Sequence, residues 1–230
     1  MYLRNLNTLG WLWSEVGDVD RAIDYNRRGT EGARKRGDPE TMANAEINVA
    51  DILLNRGDLR LAEEIFDGVY RIVKDPSVSE WMKWRYSTHL FASLADLWLA
   101  KGDYGKATHW ANQCLEVAVR TGAKKNIVKG WRAKGVIAMR QRRSDEAEHA
   151  VSEALTIAQA IGNPGQLWRT YEALGLLRQA QSKPDEAHAA YVAARHVIEG
   201  VRTRLTTPEL CAALDRAAFV QRLAAASAPR

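Results

Sequence analysis

Few residue constellations in this chain have the makings of chemistry. His109 and His149 each stand two residues after an equivalent alanine, but forty residues apart, too far to share a metal ion easily. There is no H-E-x-x-H and no C-x-x-C, so no recognisable zinc site. No G-x-x-x-x-G-K-[ST] stretch provides a phosphate cradle. The histidines and carboxylates show no spacing that a nucleophile, its base and an orienting group require. The chain therefore reads as non-enzymatic, with no cofactor and no metal. What remains is recognition chemistry. Asn44, Asn48, Asp51 and Asn55 run i, i+4, i+7, i+11, a polar stripe opposite Val49 and Leu53. An amide both donates and accepts, which suits the backbone of an extended peptide. Asparagine is also a poor helix former, so four polar residues of this kind ask for a reason. Arg85, His89 and Asp96 form a similar stripe, and Lys129, Arg132 and Arg140 a basic one able to pair with carboxylates. Trp11 lies beside Arg4, Asn7 and Ser14, off the packing face that explains Trp13.

The elements that carry these stripes are helical hairpins. In Phe91–Leu115, Phe91, Leu94, Ala95 and Trp98 fall at i, i+3, i+4, i+7, one apolar helical face. Gly102-Asp103 breaks the period, glycine ending one helix and aspartate capping the next. Ala107, Ala111 and Cys114 then form the stripe of a second helix. The unit repeats. The alanine after the turn recurs as Ala22, Ala62, Ala107, Ala147 and Ala187, at intervals of 40, 45, 40 and 40 residues. Before it stand Gly17-Asp18, Gly57-Asp58 and Gly102-Asp103, with Ser144-Asp145 and Pro184-Asp185 in the same role. Twelve residues ahead of each marker is a small residue: Gly10, Ala50, Ala95, Gly135, Gly175. A fixed period of this length predicts an all-α, right-handed superhelical solenoid. Its hairpins are expected at about 1–36, 39–74, 79–121, 124–161 and 164–204. The array thus spans 1–205, with one C-terminal capping helix over 206–226 and a tail at 227–230. The longer interval assigns extra residues to a connection from Asp75-Pro76-Ser77 and to a third hairpin extended back through Trp81, Trp84 and Tyr86. By position Trp98 and Trp131 belong to the core, and Leu6, Leu9, Gly10 and Trp13 to the apolar face of the first helix. That helix begins almost at Met1 with no polar lead-in, which predicts a start inside an array, as in a fragment of a longer protein.

The 230 residues, 46% hydrophobic and 27% charged, are ample for a packed core under a charged surface. No window approaches the ~18 apolar residues of a membrane span, and Arg4 and Asn5 stand where a secretory leader would be apolar. Cys114 and Cys211 make no disulfide framework and read as helix-face residues in a reducing, cytoplasmic compartment. The net charge of +5 invites a nucleic-acid reading. Arg34-Lys35-Arg36 and Arg140, Arg142, Arg143 instead suit solvated helix ends, where cations complement the dipole. Asp51, Asp96 and Glu172 on the same inner faces argue against a nucleic-acid groove.

The hairpins resemble the tetratricopeptide repeat. That family places Leu-Gly and an aromatic on its first helix and Ala…Phe/Tyr…Ala on its second. Leu9-Gly10…Trp13…Ala22…Tyr25, Phe91…Leu94-Ala95…Trp98…Ala107 and Tyr171…Leu174-Gly175…Ala187…Tyr191…Ala194 match this pattern. Departures are the longer period, Glu46, Lys134 and Arg178 at normally apolar positions, and Asn26 and Gly29 in the first repeat. The segments LNTLGWLWSEVGDVDRAIDYNRRG, WMKWRYSTHLFASLADLWLAKGD and VIEGVRTRLTTPEL resemble the C-terminal repeat region of large bacterial signalling proteins. Those carry an ATP-binding regulatory domain, often with an adenylate/guanylate cyclase domain ahead of it. The resemblance implies a sensory or protein-interaction arm working with such an upstream domain.

The resulting expectation is a scaffold that binds a protein or peptide on its concave face. Trp11, Asn44, Asn48, Asp51, Asn55, Arg85, His89, Asp96, Lys129, Arg132 and Arg140 are the contact residues. Three rivals stand beside it: a small-molecule sensor enclosed near Trp81, Trp84 and Tyr86, a nucleic-acid-binding repeat, and an inert spacer.

Overall fold

The computed structural model describes residues 2–228. Met1, at the start of the expected first hairpin, and Pro229 and Arg230 of the expected tail lie outside the described residues. The chain is an all-helical solenoid of hairpins that falls into two compact units, Met1–Thr121 and Gly122–Arg230. The first unit holds α1 (Tyr2–Glu15), α2 (Val19–Arg36), α3 (Pro39–Arg56), α4 (Leu59–Lys74), α5 (Glu80–Ala100) and α6 (Tyr104–Arg120). The second holds α7 (Lys124–Arg140), α8 (Ser144–Ile161), α9 (Pro164–Ala180), α10 (Pro184–Arg202), α11 (Pro208–Arg216) and α12 (Ala218–Ala226).

The breaks follow from backbone chemistry. Gly17, Gly57 and Gly102 take positive φ five residues before the marker alanines, a conformation without steric cost only for glycine. Arg142 and Ser182 hold the equivalent positions in the second unit, both at φ 58°. The expectation that Ser144-Asp145 and Pro184-Asp185 replace Gly-Asp is therefore corrected by two residues. The left-handed residue is Arg142 or Ser182, and Asp145 and Asp185 lie inside the first helical turn, where they complement the dipole rather than cap it. Asp18, Asp38, Ser79, Asp103 and Asn163 are true caps, each accepting from the amide three residues on. The longer connection runs from Asp75, and α5 is the longest helix, at 21 residues.

Within each hairpin the helices meet at the small residue. An added Cβ on Gly135 would lie 2.6 Å from Val151 Cγ2, and one on Gly175 would lie 2.5 Å from the Tyr191 ring. Gly10 meets Asn26 in the same way. In the remaining two hairpins Ala50 and Ala95 are fully buried at this position. Each partner stands four residues after the marker alanine. The first unit has one large apolar cluster, centred on Ile47, Phe66, Val69, Leu90, Leu94 and Leu97. The second unit is stitched by smaller clusters around Val151 and Leu177 and around Val128 and Ala154.

Several expected core residues are only half-buried. Leu9 is exposed, and α1 turns Leu3, Leu6, Asn7 and Gly10 inward instead. Trp98 is capped by the ammonium groups of Lys101 (4.4 Å) and Lys106 (3.8 Å), so its ring closes the hairpin turn rather than filling the core. Trp131 packs beside Val128 and carries Lys134 at 5.1 Å. The charged residues at normally apolar sites are likewise occupied. Glu46 faces Arg34 at 3.6 Å, and its partial burial pushes its carboxyl above the usual range. Arg178 grips Glu148 with both terminal nitrogens and Glu186 through Nε at 2.8 Å.

The expected single capping helix is two. Ala217 adopts ψ 133° between α11 and α12. The break lets α12 fold back onto α10 and brings Phe219 to stack on Trp168, centroids 4.6 Å apart. Gln221 Nε2 donates to the freed carbonyl of Asp215 at 2.8 Å. Ser227, expected in the tail, is buried and accepts from Arg195.

Two predictions follow from this packing. Gly175→Ala should destabilise the chain by roughly 1–3 kcal/mol through overpacking. Gly68→Ala, where a Cβ meets nothing within 4 Å, should stabilise it by about 0.5–1 kcal/mol; chemical denaturation of both variants decides. Separately, the hydrogen bond from Arg178 holds the Glu148 carboxyl below its ordinary value of 4.5. A lowered folded value means stability that is present above 4.5 and lost as pH falls through the folded value. Arg178→Gln should flatten that acid limb in a thermal-melt series against pH, and an unchanged limb would refute the assignment.

Candidate functional site

In the first unit, successive first helices touch, α1 with α3 and α3 with α5, and in the second α7 touches α9. Among the described residues the second helices make no comparable contact with one another. Each unit thus presents a layer of first helices. The side chains on that layer which point away from the hairpin seam are the natural place for a site.

Their register is regular. Eighteen residues before the marker alanines stand Arg4, Asn44 and His89 in the first unit, and Lys129 and Arg169 in the second. None of these is buried. Eleven residues before the markers stand Trp11, Asp51 and Asp96, then Val136 and Leu176. Most of the expected contact residues fall on these two lines. Sequence reading missed Arg169 and Leu176, although both share the register of residues it singled out.

In the first unit the layer is cross-linked. Arg4 Nη2 lies 3.3 Å from Glu40, and Tyr86 Oη donates to Glu40 at 3.3 Å. Burial, then the charge of Glu40, raises the Tyr86 phenol above its usual value. His89 Nε2 donates to Asp51 Oδ2 at 2.9 Å, tying α5 to α3. A carboxylate only accepts, so this nitrogen carries the proton. Arg85 is exposed and lies over Trp81 at 5.2 Å. Trp81 and Trp84 meet edge-to-face at 6.3 Å, with Trp81 well exposed. Trp11 is 47% exposed on the same layer. Asn44 is half-buried, while Asn55 and Asp96 are exposed.

Asn48 is a correction. Expected in the open amide ladder, it is buried where α3 packs on α2 of the preceding hairpin, and its Nδ2 donates to Asn26 Oδ1 at 3.0 Å. Asn26 in turn donates to the Ala22 carbonyl at 2.8 Å. Asn7 donates to the Thr41 carbonyl at 2.9 Å, and its Oδ1 is buried against Gly29 with no hydrogen-bond partner. The asparagines that looked anomalous in helices are in part the mortar between α1, α2 and α3.

In the second unit Arg132 reaches across the layer. Its Nη1 donates to Gln166 Oε1 at 3.0 Å on α9. Arg169 lies over Trp168 at 4.4 Å and donates to the Gly165 carbonyl at 2.9 Å. Glu172 is taken by Arg222 of α12 at 2.8 Å. Lys129 is half-buried and Arg140 exposed. Where α7 and α9 begin, Gly122–Asn126 and Ile161–Pro164 line a shallow cleft that contains no aromatic side chain. His109 and His149 lie edge-on to Trp110 and Trp131. Among the described residues no three His, Cys, Asp or Glu side chains gather as a metal site. No described helix is long and apolar enough to cross a membrane.

No family model matches the chain, and no curated protein matches it. Among solved structures, the crystal structure of BtubC (BKLC) from P. vanneervenii is similar over 90% of this chain and 85% of that one, with a TM-score of 0.61 at 19% identity. This chain has a helical-repeat fold. A circular tandem repeat protein with novel repeat topology and enhanced subunit contact surfaces aligns over 91% of this chain and 64% of that one. Its TM-score of 0.26 at 14% identity is too low to bear on the fold.

Asn48→Ala should cost roughly 1–3 kcal/mol, because it strands the buried Asn26 carbonyl. Asn55→Ala, on the open face, should stay within about 0.5 kcal/mol of the parent. Equal urea midpoints for the two variants would remove the distinction between seam and face.

Proposed function

We propose that this chain is a non-catalytic, tetratricopeptide-like scaffold that binds an extended peptide segment of a protein partner on its layer of first helices. The observation that carries the reading is the line of unburied hydrogen-bonding side chains, one per hairpin: Arg4, Asn44 and His89 in one unit, Lys129 and Arg169 in the other. Within each unit such spacing along successive first helices matches a chain that runs across them, each hairpin contributing one polar contact to the partner. Exposed Trp11 and Trp81 supply the large, stiff surfaces that anchor interfaces. The sequence resemblance to the repeat regions of bacterial cyclase- and ATPase-containing signalling proteins supports a cytoplasmic role as a sensory or docking arm. Occupancy would then be relayed through neighbouring hairpins, since each touches chiefly its neighbours.

Selection of displayed random peptides against the whole chain tests this. Selected peptides should lose roughly tenfold or more in affinity to a variant combining His89→Gln with Lys129→Ala. They should bind a second-helix control, Lys35→Ala with Glu153→Ala, as they bind the parent. If no peptide is enriched, or if the face variant binds as well as the control, the reading is wrong.

A further inference from the structure

The break between α11 and α12 has no cause in its own sequence. Among the described residues, every other junction between helices holds a glycine, a proline or a residue at positive φ. Here the backbone turns at Ala217, at φ −59° and ψ 133°, and Ala218 opens the next helix. From Glu209 to Ala226 there is neither glycine nor proline, and alanine is the strongest helix former of all. α12 also begins with no side-chain cap and no acidic residue in its first turn. Local preference therefore asks for one continuous helix over 208–226, about 28 Å long. The two nine-residue helices present instead are each too short to persist alone in water.

What holds the kink is the seat of α12 on α9 and α10. Phe219 stacks on Trp168 with the rings 10° from parallel, and Leu223 is fully buried. Arg222 Nε meets Glu172 at 2.8 Å, and Arg195 Nη1 donates to Ser227 Oγ at 3.2 Å. Phe219, Leu223 and Ser227 follow at i, i+4 and i+8, on one helical face. At the kink, Gln221 stands in for the main chain. Its side chain donates to the Asp215 carbonyl, which the amide of Phe219 would reach in an unbroken helix. α11 is anchored separately, by two hydrogen bonds from Arg202 of α10 to the Asp215 carboxylate. The kinked form thus fills the seat and breaks a run of strong helix formers. A straight form restores the helix and leaves Phe219 and Leu223 in water. Within one molecule the local and the tertiary preference exclude each other.

Two molecules satisfy both. We propose that this seat binds a second copy of the chain: α11 and α12 straighten into one helix, and α12 of each copy docks on α9 and α10 of the other. Every contact that α12 makes within one chain is then remade between two, and the exchange closes on itself as a two-fold dimer. The helix at Ala217 is regained in both copies. Against this stands the lost independent motion of two molecules, so concentration decides between the forms.

Size-exclusion chromatography with light scattering tests this on the whole chain, refolded from urea at a series of concentrations so that exchange is complete. The parent should show a dimer whose share rises with concentration. Ala218→Pro should remove it. Proline suits the first position of α12, and it holds the preceding Ala217 in the extended conformation it already has. Gln221 is exposed, and Gln221→Ala loses only the bond that sustains the kink. It should raise the dimerisation constant roughly threefold or more. A charge exchange identifies the surface. Glu172→Arg in one preparation and Arg222→Glu in another leave like charges facing each other at the seat. Only exchange of α12 between the two variants restores opposite charges at both seats. Their mixture should therefore form a mixed dimer about tenfold in preference to either variant with itself. A chain that stays monomeric at every concentration, also as Gln221→Ala, overturns the proposal. So does a dimer that survives Ala218→Pro, or a mixture that pairs at random.

Discussion

The close approach of two helices at one small residue per hairpin governs the rest of this structure. Gly10, Gly135 and Gly175 sit directly against the side chain four residues after their marker alanines, and Ala50 and Ala95 are fully buried in the same register. Glycine admits a Tyr ring at Tyr191, a branched Val151 and the amide of Asn26, whereas alanine stands opposite Phe66 and Ala111. Because this seam fixes the pairing within a hairpin, the inner faces of the first helices can carry polar side chains. They still touch the next first helix, which aligns them into a layer. The face proposed to bind and the seam that pairs the helices are thus different surfaces of the same helices.

The packing between successive hairpins is not equally apolar throughout. Phe66, Leu90 and Leu97 fill it in the middle of the first unit, whereas α1, α2 and α3 meet through Asn7, Asn26, Asn48 and Thr41. Buried amides contribute little net stability when satisfied and cost about 1–3 kcal/mol when not. They are, however, directional: a hydrogen bond between Asn26 and Asn48 admits one register of α2 against α3, where a greasy contact tolerates several. The unsatisfied Oδ1 of Asn7 is a local cost within this junction.

The period and the turn chemistry were legible in the sequence, because a glycine with positive φ and a capping aspartate are local signals that need no tertiary context. The hairpin marker was equally plain. Three features were not. Asn48 looks solvent-facing on a helical wheel, since nothing local reveals that Asn26 waits on the adjacent helix with a complementary amide. Trp98 occupies the apolar stripe, yet its position beside the turn brings Lys101 and Lys106 over the ring, and a large aromatic with cations on its face is content half in water. Arg142 and Ser182 hid the turn because they adopt a conformation that their residue types rarely take, tolerated only because the flanking helices dictate it. Arg169 was overlooked for the opposite reason. Next to Trp168 it reads as a stacking partner, and only the register shared with Lys129 and His89 marks it as part of a face.

The two units also answer their exposed polar surface differently. In the first, Arg4, Glu40, Tyr86, Asp51 and His89 satisfy one another across the layer, so that cations and carboxylates alternate. In the second the carboxylates have been moved to the far side of the hairpin, onto α8, and α7 is left uniformly positive. A balanced face gives up part of its own pairing when a partner arrives, and gains specificity from the match. A face of one sign attracts a ligand of the opposite sign over about one Debye length, ~8 Å at physiological salt.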